Sequence, residues 1–215
     1  AERKFKLTRQ LLEIALEYKQ PMGMITKNSL ILRDLDILQE MAKLNLCMVY
    51  SSINSLNDKL RLAMEPSTAT AKQRLKVVEE LSKAGVPVGV MVAPLVPGLS
   101  DHEIPAVLKS VANAGAIRAG YTIVRLNGAI GQIFEDWLRK NFPDRFDKVW
   151  HMIQSSHGGN VNDSRFGDRM RGDGNIAQMI RDNFKLHCRL NSLNVKDIKL
   201  EHNLFRVPGA QISLF

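Results

Sequence analysis

The sequence predicts an α/β protein built on a parallel sheet. Two observations carry this expectation. Apolar segments of strand length alternate with segments of helical spacing from Leu7 to Leu126. The stretch Ser51 to Gly98 also reads as one complete βαβ unit: a strand ending in small polar residues, a short helix, a capped longer helix, and a strand with Val at alternate positions. Its polar strand ends fall on one side, the side on which parallel α/β sheets bind ligands.

Apolar residues at Leu7, Leu11, Leu12, Ala15 and Leu16 give the first helix, to about Tyr18. Met22 to Thr26 is a short strand ending at Lys27-Asn28, and Leu35, Leu38, Met41 and Ala42 mark the next helix. Leu46 to Ile53 is the second strand. Thr70 and Gln73 have the spacing of a capping box, opening a helix that stops at Gly85. Val86 to Val92 is the third strand. Ser100 and Glu103 form a second capping-box pattern, before a helix to about Ala114, and Ala119 to Leu126 is the fourth strand. Beyond it lie helical segments at Ile130–Asn141, Asp144–Ser155 and Ile176–Leu190, with a polar, glycine-rich loop from His157 to Gly174. The tail from Leu200 to Phe215 reads as extended.

In the third strand Val86, Val88, Val90 and Val92 share one face, and Pro87, Gly89, Met91 and Ala93 the other. The small residues Gly89 and Ala93 either leave room for a ligand or admit a bulky neighbour such as Met48 or Tyr50.

The chain has 215 residues, 45% of them hydrophobic, enough for one large domain with a small appendage. The charge of +8 favours anionic partners such as nucleic acid or phosphorylated ligands, and equally suits an ordinary basic enzyme. No apolar run reaches membrane-spanning length and no signal peptide is recognisable, so the cytoplasm is the expected compartment. The chain opens on Ala1 and runs almost at once into a helix, as a fragment of a longer protein would. Cys47 and Cys188 are too far apart in sequence for a CxxC or zinc pattern, and Cys47 reads as a buried core thiol. The five histidines, among them His102, His151 and His157, show no ligand spacing, so none is assigned to a metal.

Several segments in order resemble the second half of a radical S-adenosylmethionine (SAM) enzyme core. They are Ser52-Ile53-Asn54 at a strand end, the turn Glu65-Pro66-Ser67-Thr68, and Val88-Gly89 with Ala93-Pro94. The likeness is to the branch of spore photoproduct lyase and its DNA-photolyase-like relatives, and runs from about Ile25 to Leu126. It implies a partial parallel (β/α) barrel, about four strands of the core in residues 1–127, with a helical extension in 128–215. It also implies a [4Fe–4S] cluster on a CxxxCxxC loop, and reductive cleavage of SAM to a 5′-deoxyadenosyl radical that takes hydrogen from substrate. Two distant thiols do not replace that loop. The resemblance therefore makes this chain the inactive C-terminal part of an enzyme that acts on nucleic acid, as in DNA repair. A radical enzyme acting on a peptide or small molecule is the alternative, against which the basic loop argues.

By the same resemblance Lys27 contacts the SAM carboxylate. Ser52 and Asn54 are placed to bond the ribose hydroxyls, with strand-end capping as the structural alternative. Met91 and Ala93 line the adenine site or pack in the core. Arg125 binds an anionic group of substrate or SAM, or serves as an ion-pair partner, and Tyr121 forms an aromatic wall on the same strand face. In the glycine-rich loop, Arg165, Phe166, Arg169 and Arg171 combine cations with an aromatic, as single-stranded nucleic acid requires. Asp163, Asp168 and Asp173 offset much of that charge. The terminal Gln211-Ile212-Ser213-Leu214-Phe215 is similar to the pentapeptide by which bacterial repair proteins dock on the sliding clamp, with Gln211, Ile212, Leu214 and Phe215 as the contacts. That reading gives a second function class, a non-catalytic accessory module. A sheet cut at its first strand also exposes an edge, which the chain is expected to cover by self-association, swapping or folding back its tail.

Overall fold

The computed structural model describes residues 2–163, 165, 169–207 and 209. A four-stranded, all-parallel sheet is its centre, with strands in the spatial order β1-β2-β3-β4. The chain runs α1 (Glu2–Phe5), α2 (Leu7–Glu17), β1 (Met22–Thr26), α3 (Leu35–Lys43), β2 (Cys47–Ser52), α4 (Asp58–Met64), α5 (Ala71–Lys83), β3 (Val88–Leu95), α6 (Ile104–Asn113) and β4 (Arg118–Ile123). Helices α7 (Ile130–Asn141), α8 (Phe146–Ser155) and α9 (Gly174–Leu190) follow. Sequential order in space is the arc of a barrel wall, as the sequence predicts.

The helix-facing side of the sheet holds the core. Val49, Val88, Val90 and Val92 are buried there against Leu38 and Met41 of α3, Val78 and Leu81 of α5, and Val107 and Leu108 of α6. A second cluster beneath α7 and α8 gathers Val96, Leu126, Leu138, Val149 and Ile153. The opposite face follows from the strand register. Ile25, Tyr50 and Gly89 form one row across it, and Ser52, Met91 and Gly120 the next. A Cβ on Gly89 would stand 2.5 Å from the Tyr50 ring, and one on Gly120 2.9 Å from Met91 Sδ. Gly89 thus makes room for a bulky neighbour rather than for a ligand. Ile25 is 68% exposed on this face and β1 is its edge strand.

Several element boundaries differ from the sequence expectation. Strand β3 starts two residues later than predicted, because Val86 still closes the end of α5 through Val86 N to Leu81 O (3.0 Å). It then continues through Pro94 to Leu95, with a shift of register against β4 between Val92 and Leu95. Proline has no N–H to give the ladder, so the irregularity sits where the donor is missing. Strand β4 ends early, at Ile123, where the backbone turns to the following loop: Leu126 N donates to Val161 O (3.3 Å). The capping box expected at Ser100 and Glu103 is absent. Ser100 Oγ accepts from Val96 N (3.0 Å), and the Glu103 carboxylate reaches back to the β2–α4 loop. At Thr70 and Gln73 the predicted box forms in full.

Among the described residues, the chain after α9 folds back onto edge strand β4 and does not pair along the other edge strand, β1. Asn194 brackets Ala119 of β4 with two hydrogen bonds of 2.9 Å. Farther on, Glu201 N donates to Asn45 O (2.9 Å) and Arg206 N to Tyr18 O (2.8 Å). The segment therefore crosses the N-terminal ends of the strands, from β4 to β1.

Gly172 seats the loop that leads into α9. Its φ is +73°, and a Cβ there would lie 2.8 Å from Ser156 O and 2.9 Å from Ile123 Cδ1. Gly159 has φ +89° with nothing within 4 Å of its Cβ position. Gly172→Ala is expected to cost about 2 kcal/mol or more, combining backbone strain with overpacking, against about 1 kcal/mol for Gly159→Ala. Urea unfolding of both variants measures the difference.

Candidate functional site

The candidate site lies at the C-terminal ends of β1, β2 and β3, where the strand–helix loops converge. Its frame is a buried ion pair. Arg74, on the first turn of α5, is 1% exposed and bonds four groups. Nη1 donates to Ser52 O (2.8 Å), Nε to Ala69 O (2.9 Å), and Nη2 to Glu65 Oε2 (2.7 Å) and Thr68 Oγ1 (2.5 Å). Arg61 adds a bond to Thr68 O (3.2 Å) from α4. The Glu65-Pro66-Ser67-Thr68 turn is thereby tied to the last residue of β2.

Lys27, at the end of β1, ion-pairs with the other oxygen of Glu65. The ammonium that the resemblance assigns to a ligand carboxylate thus meets a carboxylate of the chain itself. Burial pushes the Glu65 carboxyl up, but the hydrogen bonds from Lys27 and Arg74 outweigh it and hold the group below its ordinary 4.5. A third tie joins β2 to the loop before α6: Glu103 accepts from Ser55 Oγ (2.6 Å) and Leu56 N (2.8 Å).

Within this frame Ser52 and Asn54 are buried, at 4% and 2% exposure. The alternation of β2 puts Ser52 on the same side as Tyr50, and Asn54 follows two residues beyond the strand end. The Asn54 Nδ2 donor is buried without a hydrogen-bond partner among the described residues. An orphaned amide at a strand end fits an acceptor brought by a ligand. Met91 is half-buried over Gly120, and Ala93 precedes Pro94 through a cis peptide bond, on the same strand.

The remaining candidates separate from this group. Tyr121 packs on Phe184 of α9, ring centroids 4.7 Å apart, and so shares a wall with the helices. Arg125 lies past the end of β4 rather than on it, so it does not share a strand face with Tyr121. Its Nη1 contacts Met170 Sδ at 3.4 Å. Arg165 is engaged with Asp163 (2.7 Å) and Asp173 (3.3 Å), which ties the loop to itself. Arg171 faces a cavity with Arg181 and Lys185. Phe166, Gln211, Ile212, Leu214 and Phe215 lie outside the described residues, as do Asp168 and Ser213.

Glu65, Arg74 and Glu103 were not singled out by sequence reasoning as site residues. Arg74 left a signal: it stands at the head of the buried stripe Arg74, Val77, Val78, Leu81 of α5, a charge in an apolar pattern.

The chain's thiols do not fit an iron–sulfur cluster. Cys47 on β2 and Cys188 on α9 are both buried free thiols, each pushed up to about 11 by burial, whereas cluster ligands are thiolates. Among the described residues no group of three or more His, Cys, Asp or Glu could hold a metal ion.

Comparison with known proteins agrees with this fold. Residues 3–111 match the Radical SAM superfamily, and the chain belongs to that superfamily. An uncharacterized protein of Methanocaldococcus jannaschii is 25% identical over 149 residues, covering 69% of this chain and 54% of that protein. An uncharacterized protein of Mycobacterium tuberculosis is 30% identical over 126 residues, covering 58% of this chain and 37% of that one. Two solved mutants of spore photoproduct lyase share the fold, with a TM-score of 0.59 and 15% identity over 85% of this chain and 52% of theirs. The chain thus spans about half, or less, of the proteins it resembles. No helix among the described residues is long and apolar enough to cross a membrane.

Replacing Arg74 by Met is expected to destabilise the chain by about 3–5 kcal/mol, because it leaves Glu65 buried with one cation fewer and strips the Ser52 and Ala69 carbonyls of their donor. Chemical denaturation checks this. Because the folded-state Glu65 carboxyl is lowered, its contribution is present above its ordinary 4.5 and lost as pH falls through the folded value. The stability gap between wild type and Glu65→Gln should therefore be full at pH 7 and shrink progressively below pH 4.5, as followed by denaturation at a series of pH values.

Proposed function

We propose that this chain forms the SAM-binding arc of a radical SAM enzyme acting on nucleic acid, as in DNA repair. The observation that carries the reading is the superfamily match joined to a strand-end site whose buried Asn54 Nδ2 has no partner among the described residues. The chemistry such a site would house is that of SAM reduced by one electron from a cluster on another segment, which would supply a radical able to take hydrogen from substrate.

The chain's own residues bind and orient. Asn54 offers its free Nδ2 donor, and Ser52 its hydroxyl, to the ribose hydroxyls of the cofactor. Lys27 is shared between Glu65 and an incoming carboxylate, so binding would exchange one carboxylate partner for another. Arg74 takes no part in contact; it fixes Ser52 by its carbonyl and is a positioning residue. Met91 and the Tyr50 ring form an apolar floor on the same face of the sheet as Ser52. The three thiolates of a cluster are not among this chain's residues, so we propose that it works together with a cysteine-bearing segment it does not itself contain. The nucleic-acid assignment is supported by the charge of +8 and by the spore photoproduct lyase fold.

The test is anaerobic reconstitution of a protein containing this chain and such a segment, followed by reductant and SAM. Release of 5′-deoxyadenosine, with about four irons per chain, is the expected result. Asn54→Ala should raise the SAM concentration for half-maximal release by about tenfold, the worth of a hydrogen bond or two in a buried site. An iron-loaded, reduced protein that never cleaves SAM would sink the proposal.

A further inference from the structure

A cavity of about 660 Å³ opens between β4 and α9, outside the strand-end site. Its walls bring together Tyr121, Arg171, Arg181 and Lys185, and its floor reaches Met91 and Gly120 on the concave face of the sheet. Arg181 is anchored at two nitrogens: Nη1 donates to Gln178 Oε1 (3.1 Å) and Nη2 to Gly172 O (3.3 Å). Its Nε and the Tyr121 hydroxyl are both buried, side by side. The phenol is raised by burial, while hydrogen bonding with Arg181 and the Arg181 and Arg171 charges act against that rise. Asp182, a carboxylate that also bears on the phenol, is held by Gln178 Nε2 at 2.9 Å from each of its oxygens.

Three cations and a phenol line this cavity, and no carboxylate among the described residues lines it with them. Like charges gathered at one opening repel, and an anionic ligand between them would relieve that repulsion while accepting their hydrogen bonds. A carboxylate presents two oxygens in one plane; a phosphate presents three or more around a centre, which suits donors converging from a strand, a loop and a helix. We propose that this cavity binds a phosphate group, with the Arg181 guanidinium and the Tyr121 side chain in its wall and Arg171 and Lys185 supplying further charge. As the anchor of a substrate whose remainder lies over Met91 and Gly120, it deepens the function proposed above. The binding of phosphate itself needs neither SAM nor iron. The phosphate belongs either to a nucleic-acid backbone or to a small phosphorylated molecule.

The experiment uses the whole 215-residue chain. Inorganic phosphate and a nucleoside monophosphate are titrated while the arginine Nε–H resonances are followed by NMR, and a fluorescein-labelled ten-nucleotide oligothymidylate is titrated by anisotropy. Phosphate should shift the Arg181 Nε–H signal. Tyr121→Phe and Lys185→Gln should each weaken binding by about tenfold, and Lys185→Gln should lower the salt slope of oligonucleotide binding by about one. Lys72→Gln, an exposed charge on α5, is the control and should leave both unchanged. Binding of all three probes identifies a nucleic-acid source; binding of phosphate and monophosphate alone identifies a small molecule, and both support the site. An unmoved Arg181 signal, or equal weakening by Lys72→Gln, overturns it. Because no arm reads SAM cleavage, its failure is separable from failure of the radical-enzyme reading.

Discussion

The buried guanidinium of Arg74 is the constraint on which the strand-end site depends. It reaches one backbone carbonyl of β2, one of the loop before α5, and two side chains of the turn between α4 and α5. The turn's links through Arg61 and Lys27 run instead to α4 and to the end of β1. A buried charge of this kind is a poor source of net stability, since desolvation consumes much of the Coulombic gain. Its consequence is geometric. One planar group with donors on two edges sets the distance between a strand end and the loop beyond it, and thereby fixes where Ser52 and Asn54 stand.

The same loop geometry explains why Glu65 has two cationic partners. Arg74 is fully buried and committed to the fold, whereas Lys27 is 41% exposed on its side chain and, among the described residues, bonded to Glu65 alone. The buried cation and the partly exposed one meet on opposite oxygens of a single carboxylate. Glu103 does for the next loop what Glu65 does for this one, receiving a hydroxyl and a backbone N–H from the segment after β2. Strand ends in a parallel sheet carry unpaired backbone groups, and beyond β2 the Glu103 carboxylate satisfies Leu56 N while the Arg74 guanidinium satisfies Ser52 O.

Much of the fold was legible in the sequence, because alternation of periods and capping chemistry are local. The strand Met22–Thr26, the box at Thr70 and Gln73, and the helix Ile130–Asn141 all stand where the residues place them. The second box failed for a non-local reason: Glu103 finds better donors 48 and 47 residues away than its own helix offers. The face of β3 carrying Gly89 and Ala93 was ambiguous for the same cause, since only the register against Tyr50 decides that the gap at Gly89 is filled. Of the site, Ser52 and Asn54 could be found from strand position and resemblance. The pairing of Lys27 with Glu65, and the gathering of Arg171 with Arg181 and Lys185, depend on contacts between segments far apart in sequence. Basic loop residues looked like one group, yet the structure sends Arg165 to Asp163 and Asp173 and Arg171 to the cavity.

The central claim is that the ends of β1, β2 and β3 form a preorganised SAM-binding surface. Amide hydrogen exchange of the 215-residue chain, with and without SAM, tests it most directly. The account predicts added protection confined to the backbone around Lys27, Ser52 to Leu56 and Glu65 to Ala69, with α7 and α8 unchanged. Protection that is absent, or that falls on α7 and α8 instead, would contradict it.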